Sequence, residues 1–224
     1  MPARARSRSR AIGRPRQDSG VAARELLLDG AMELFAEQGA AATTLAQIAA
    51  RAGVTPAMVH YYFSDRDRLL DAVAGERLLP TLTSVWAPVA ETTDLLPMLR
   101  GLVRRILKAT ELMPWLPGLW LREILSDGGQ LRSRVLKGMP FEYVRHLIAT
   151  VAAAQQRGAI SRDLDPRLVL MSVLGTTLLP LATMRMWHEI PVMQGVSRED
   201  LARHAEALLV SAFSAPPNRH SRGK

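Results

Sequence analysis

The stretch TTLAQIAARAGVTPAMVHYYFSDR, residues 43–66, permits few local structures. Thr44 followed three residues later by Gln47 has the form of a capping box. In such a box the hydroxyl takes the amide three residues on, and the glutamine side chain returns to the cap N–H. Leu45, Ile48, Ala49 and Ala52 then share one helical face. Gly53 stands where the chain must reverse, a place glycine can occupy at positive φ without steric cost. Val54 plugs the angle. Thr55 is positioned to cap a second helix whose first residue is Pro56, where a missing N–H costs nothing. Met58 and Val59 fall on the inner face, leaving Thr55, Ala57, His60 and Tyr61 outside. Phe63 closes the pair, and Ser64 or Asp65 caps the next helix.

Upstream, Leu26, Leu27, Ala31, Leu34 and Phe35 recur at helical spacing over residues 21–38, and Gly39 ends the run. One bracing helix and two short helices at a tight turn make the grammar of a helix-turn-helix. Taken alone, that grammar leaves DNA reading and plain helical packing both open.

The wider pattern resembles the tetracycline-repressor (TetR) family. The residues that carry the resemblance are Leu34-Phe35 with Gly39, Thr43-Thr44, Ile48-Ala49, Ala52-Gly53-Val54, and Tyr61-Tyr62-Phe63 followed by Arg66 and Leu69-Leu70. The match covers about residues 22–75. It implies an all-α fold, with a three-helix DNA-binding domain over residues 21–66 and a helical ligand-binding and dimerisation domain over residues 67–214. By position it places Thr44 and Gln47 at a phosphate, and Thr55, Pro56, Ala57, His60 and Tyr61 at the bases. Tyr62 and Arg66 would grip the DNA backbone. This chain departs from the commoner pattern, which has Lys and Gly after the cap and Tyr before the aromatic pair. Pro56 and Ala57 cannot donate hydrogen bonds to bases but can pack on a thymine methyl.

The formal net charge of +8 sits at the two ends of the chain. Six arginines against Asp18 make residues 1–20 strongly basic, and Arg219, Arg222 and Lys224 do the same for residues 215–224. The intervening residues balance. Within residues 21–80 five basic groups face eight acidic ones, so the DNA-reading head is itself net negative. Both ends read as solvated disorder in the free protein. Family resemblance adds a second role for the first, an arm whose Arg6, Arg8, Arg10 and Arg14 reach the minor groove.

Enzyme chemistry finds little material. The chain has no cysteine, and His60, His146, His188, His204 and His220 show no paired metal-ligand spacing. There is no glycine-rich phosphate loop and no nucleophile elbow, so neither catalysis, cofactor nor metal is expected. The basic start is not followed by an apolar segment, which argues against a secretory signal. The uncharged run 168–184 carries Ser172, Gly175, Thr176, Thr177 and Pro180, and is expected as a buried helix with no membrane span. The expected setting is the bacterial cytoplasm, on the nucleoid.

The rest of the chain reads as helices. Residues 65–84 form a connecting helix that Pro80 bends or ends. A helix over 95–112 and a short one over 118–126 follow, then one opened by Pro140 with Phe141, Val144, Ile148 and Val151 inward. A long helix over 166–187 is kinked at Pro180, and the last, 198–213, is capped by Ser197 with Asp200. The family's cavity, if lined here by Trp115, Trp120, Phe141, Met171 and Thr176, suits an apolar or aromatic effector. Glu123 and His146 are expected at the surface. Leu174, Leu178, Leu201, Leu208 and Leu209 are expected in a homodimer's four-helix interface. The resulting expectation is a dimeric, ligand-responsive regulator, a repressor on a palindromic operator in double-stranded DNA. The alternative is a sequence-tolerant architectural protein driven by its basic tails.

Overall fold

A computed structural model describes residues 17–214; the expected arm and tail arginines lie outside them. Among the described residues there are helices and turns and no strand. The first helix, α1, runs Gln17–Gln38, four residues longer at its start than the hydrophobic pattern suggests. Gly39 ends it at φ +87°. Its buried face is Leu27, Leu28, Ala31, Met32 and Phe35, which turns Leu26 out to solvent. Helix α2 (Leu45–Arg51) and helix α3 (Pro56–Phe63) pack on α1 and on each other around buried Ile48, Ala49, Val59 and Phe63.

The connecting helix solves a spacing problem. Its apolar stripe runs Leu69, Val73, Leu78, Leu82, Val85, and the step from Val73 to Leu78 is five residues rather than three or four. In an ideal α-helix Leu78 would lie about 140° round from Val73, in line instead with buried Ala74. The chain restores the stripe with one π-helical turn, Ala74–Leu78, between α4 (Arg66–Val73) and α5 (Leu79–Trp86). Pro80 falls in the first turn after it, and the helix continues to Trp86 instead of ending there. A 3-10 turn, Ala87–Glu91, follows.

Helix α6 (Leu95–Leu112) is the centre of the remainder. It buries Leu95, Met98, Leu99, Leu102, Val103, Ile106 and Ala109 along its length. Each such aliphatic side chain taken from water contributes about 2 kcal/mol. Around α6 lie α5, α9 (Phe141–Gln156), α10 (Val169–Ala182) and α12 (Arg198–Ser214). The short α7 (Leu116–Leu119) leads into a second π-helical turn, Trp120–Leu125, and α8 (Arg132–Gly138) returns against the first one. The hydrophobic core is one connected cluster from Leu27 to Phe213, continuous from α1 through α12.

Two helices differ from the sequence pattern. The buried face of α9 centres on Leu147, Val151 and Ala154, so Phe141 sits about 100° round the helix and is 44% exposed. The long helix predicted over 166–187 is divided. A 3-10 turn, Pro166–Leu168, precedes α10, and the chain breaks at Thr183, three residues after Pro180, before the short α11 (Met184–His188). The last helix has its expected cap, Ser197 and Asp200 each taking the other's amide proton. No described helix is long and apolar enough to cross a membrane.

Candidate nucleic-acid interface and effector cavity

The turn between α2 and α3 is built from its own residues. The Thr44 hydroxyl accepts from the Gln47 amide at 3.2 Å, and Gln47 Oε1 accepts from the Thr44 amide at 2.8 Å, completing the capping box. Gly53 takes φ +68°. Thr55 holds the extended cap conformation ahead of Pro56, but its hydroxyl makes no cap bond. Thr55, Pro56, Ala57, His60 and Tyr61 are all exposed, and Tyr61 is 80% exposed, which is rare for an aromatic side chain without a partner. Tyr62 is half-buried beneath it, edge-on with centroids 5.0 Å apart, and Phe63 is buried. The structure thus brings the expected reading positions onto one open face of α3, with Thr44 and Gln47 exposed at the start of α2.

The cations of this head are largely committed. Arg24 pairs with Glu76 at 2.6 Å and stacks over Phe63. Arg51 pairs with Glu33 and Glu37 at 2.9 and 2.8 Å, and its hydrogen bonds hold the Glu37 carboxyl below the usual range. Arg77 bridges Glu25 and Asp29. Such surface pairs stabilise by about 0–1 kcal/mol each, so a phosphate can compete for them. Arg66 corrects the sequence reading. Its guanidinium turns inward, donating to the carbonyls of Thr43, at 2.6 Å, and of Ala40. It fixes the α1–α2 turn and leaves no open fork for a DNA phosphate. Arg68 is exposed and, among the described residues of the head, is the arginine without such a partner.

A cavity of ≈ 170 Å³ opens between the Trp120–Leu125 turn and α10, walled by Pro117, Trp120, Leu121, Leu174, Gly175 and Leu178, with Met171, Leu179 and Leu125 at its rim. Of the five expected lining residues, Trp120 and Met171 are there. Trp115 packs half-buried against the core, Phe141 faces outward, and the Thr176 hydroxyl bonds back to the Ser172 and Val173 carbonyls of its own helix. The expected dimer residues divide as well. Leu174 and Leu178 line this cavity, and Leu209 is buried inside the protomer, so it cannot meet a second copy. Leu201 lines a second apolar space of ≈ 230 Å³ with Pro180, Met184, Trp187 and Met193. Leu208, 45% exposed, keeps the accessibility an interface needs. The Trp120 indole N–H is buried with no acceptor.

Glu123 is the residue the sequence hid. Expected at the surface, it is 3% exposed, and its carboxylate accepts the Ala40 amide at 2.7 Å and the Gln130 amide at 2.9 Å. A π-helical register cannot be read from spacing in a nine-residue helix, so the face on which Glu123 falls was not legible. His146 is half-buried, its Nε2 3.1 Å from the Thr92 carbonyl. Among the described residues no cluster of carboxylates, histidines or cysteines could hold a metal ion.

Residues 27–73, which span α1 to α4, match the sequence pattern of bacterial regulatory proteins of the tetR family. The head over these residues is that of the tetR family. Within the head it is 43% identical over 49 residues to the HTH-type transcriptional regulator BetI of Rhizobium meliloti (strain 1021), an alignment covering 22% of this chain and 24% of that protein. The chain therefore spans about a quarter of the length of the regulators it matches by sequence. In three dimensions the likeness extends over the whole described fold. The ketosteroid transcriptional regulator KstR2 of Mycobacterium tuberculosis superposes with a TM-score of 0.68 at 20% identity, over 92% of this chain and 100% of that one. AibR, solved with isovaleryl coenzyme A and operator DNA, gives 0.65 at 21% identity over 87% and 99%. At these identities the likeness speaks for the fold alone: a helix-turn-helix head on a helical body.

Proposed function

We propose that this protein is a dimeric, effector-responsive regulator of transcription that reads a palindromic operator with the outer face of α3. The observation that carries the reading is that face. Thr55, Pro56, Ala57, His60 and Tyr61 lie exposed together on a helix that the capping box and Gly53 hold at a fixed angle. An exposed row ending in an 80% exposed tyrosine has no packing purpose, and it suits a major groove. Thr44 and Gln47 flank a phosphate, with Tyr62 beside them. Arg6, Arg8, Arg10 and Arg14 supply the positive charge that the paired head lacks. Two protomers meet along α10 and α12, where Leu208 and Leu179 remain exposed.

The effector enters the cavity beside Trp120. At ≈ 170 Å³ the space is close to one of about 150 Å³ that admits benzene, so it takes a ring or a short branched acyl group. Isovaleryl coenzyme A, the ligand in the AibR structure, carries such a group and is the first compound to try. Binding that favours a DNA-incompetent arrangement lifts repression. The protein acts in the cytoplasm, on the nucleoid.

One observation favours a second reading. With the head's arginines paired, the basic ends could drive sequence-tolerant binding. Selection of random duplex DNA by the purified full chain at near-physiological salt separates the two. An enriched palindrome establishes the regulator; a featureless pool held only at low salt establishes the architectural protein.

A further inference from the structure

The cavity wall and the reading head meet on one helical turn. The cavity is lined from α7, the Trp120–Leu125 turn and α10, and by no residue of the connecting helix Arg66–Trp86. Trp120, Leu121 and Leu125 of that π-helical turn face the cavity, while Glu123 of the same turn is buried on the opposite side against the head. There it meets the α1–α2 turn at Ala40, which is itself fully buried. Both peptide groups of Ala40 are taken. Its N–H donates to Glu123 and its C=O accepts from Arg66. The second Glu123 oxygen holds the Gln130 amide, and Gln130 Oε1 lies 3.4 Å from Arg66, closing a ring of contacts between body and head. Gly129 folds so tightly over the turn that a Cβ there would lie 2.1 Å from the Glu123 carbonyl oxygen. The turn can therefore hardly shift without moving the carboxylate.

We propose that Glu123 is a positioning residue through which an occupant of the cavity acts on the α1–α2 turn, by a route separate from the connecting helix. The proposal rests on the reading that the cavity takes an effector. A group entering beside Trp120 pushes on a π-helical turn. Such turns are rare inside α-helices and recur at functional sites. Displacement of that turn drags or breaks the Glu123–Ala40 bond. The α1–α2 turn carries Thr43 and the Thr44 cap, so the start of α2 shifts with it. A buried carboxylate with two amide donors behaves as a two-position element, because any intermediate position leaves charge or N–H unpaired.

The test needs neither the effector nor the operator. Gly175 lines the cavity and an added Cβ there meets nothing within 4 Å, so Gly175→Leu fills the space from within. Ala182→Met, at the same cavity, replaces it if that variant unfolds. Hydrogen exchange is measured over residues 36–44 in the parent, the filled variant, Glu123→Gln, and the double variant. Filling is expected to change exchange at Ala40 severalfold in the parent. In Glu123→Gln exchange there is already faster, by roughly tenfold for a lost charge-assisted bond, and filling adds nothing. A merely structural Glu123 would give additive effects. Equal response to filling with and without the carboxylate would overturn the proposal and move the coupling to α7, where Gly118 packs 3.6 Å from the Ala36 carbonyl. No response in the parent would overturn it too. DNA selection run on the same preparations keeps the questions apart, since coupled exchange without any selected motif would sink the regulator reading and leave the Glu123 link standing.

Discussion

The imidazole Nδ1 of His60 lies 3.2 Å from the carbonyl oxygen of Ser64. A carbonyl only accepts, so Nδ1 carries the proton of that bond, and in the neutral ring Nε2 is left as a bare acceptor on the exposed face of α3. In a major groove an acceptor pairs with the amino group of adenine or cytosine. His60→Ala is expected to relax preference at one base pair of each half-site by about 1–3 kcal/mol while leaving binding to random duplex unchanged. Competition binding on single-substitution operators measures this, and equal loss on every sequence would reassign His60 to a phosphate.

Arg66 makes the opposite prediction. Its donors satisfy the Thr43 and Ala40 carbonyls inside the protein, so its removal strands the Thr43 carbonyl and leaves the Ala40 carbonyl only the Thr43 amide. Arg66→Ala should destabilise the fold by about 1–3 kcal/mol. The slope of log affinity against log salt should stay as in the parent. Urea unfolding and a salt titration of operator binding check the two halves, and a shallower slope would restore the phosphate grip.

The reading head was legible because its signals are local. A capping box, Gly53 at the reversal and Pro56 at a helix start each act within four residues, and the structure keeps every one. Where a side chain's fate depended on distant chain, the sequence was mute. Arg66 looks like any exposed arginine at a helix start until Ala40 is folded beneath it. Glu123, Phe141 and the division of Leu174, Leu178 and Leu209 among cavity and core all turn on helix phase. Two π turns and a break after Pro180 shift that phase in ways periodicity cannot register. The cavity's size and its unpaired Trp120 N–H belong to packing and have no signature in spacing.

With Arg24, Arg51 and Arg77 paired, Arg68 is the arginine left without a partner among the described residues of the head, and the proposed arm of residues 1–20 would supply the remaining attraction for DNA. Deleting residues 2–16 should weaken binding to all duplexes alike and flatten the salt slope by roughly 0.9 for each phosphate no longer neutralised. Sequence preference should survive. Fluorescence anisotropy at several salt concentrations, on operator and random duplex in parallel, gives both numbers.

Acid should loosen the start of α12 first. The Ser197 amide and hydroxyl, with Arg203, hold the Asp200 carboxyl down to about 2, from an ordinary 3.8. A lowered carboxyl lends stability above its unfolded value and loses it as pH falls through the folded one. Hydrogen exchange over residues 198–202 should be slower in the parent than in Asp200→Ala at pH 6. The difference should shrink below pH 4 and vanish near 2. A gap that persists undiminished at pH 2 would mean that Asp200 steadies the cap without its charge.

The five-residue step from Val73 to Leu78 has a meaning in angle. One residue of α-helix is about 100° of rotation, and the π turn takes up the single surplus residue so that the stripes before and after it keep one face. Gly75 lies in that turn, exposed, with open space around its missing side chain. Removing it would leave Val73 and Leu78 four residues apart, one ordinary turn, so an uninterrupted α-helix would present the same buried face and keep the bearing of the body on the head.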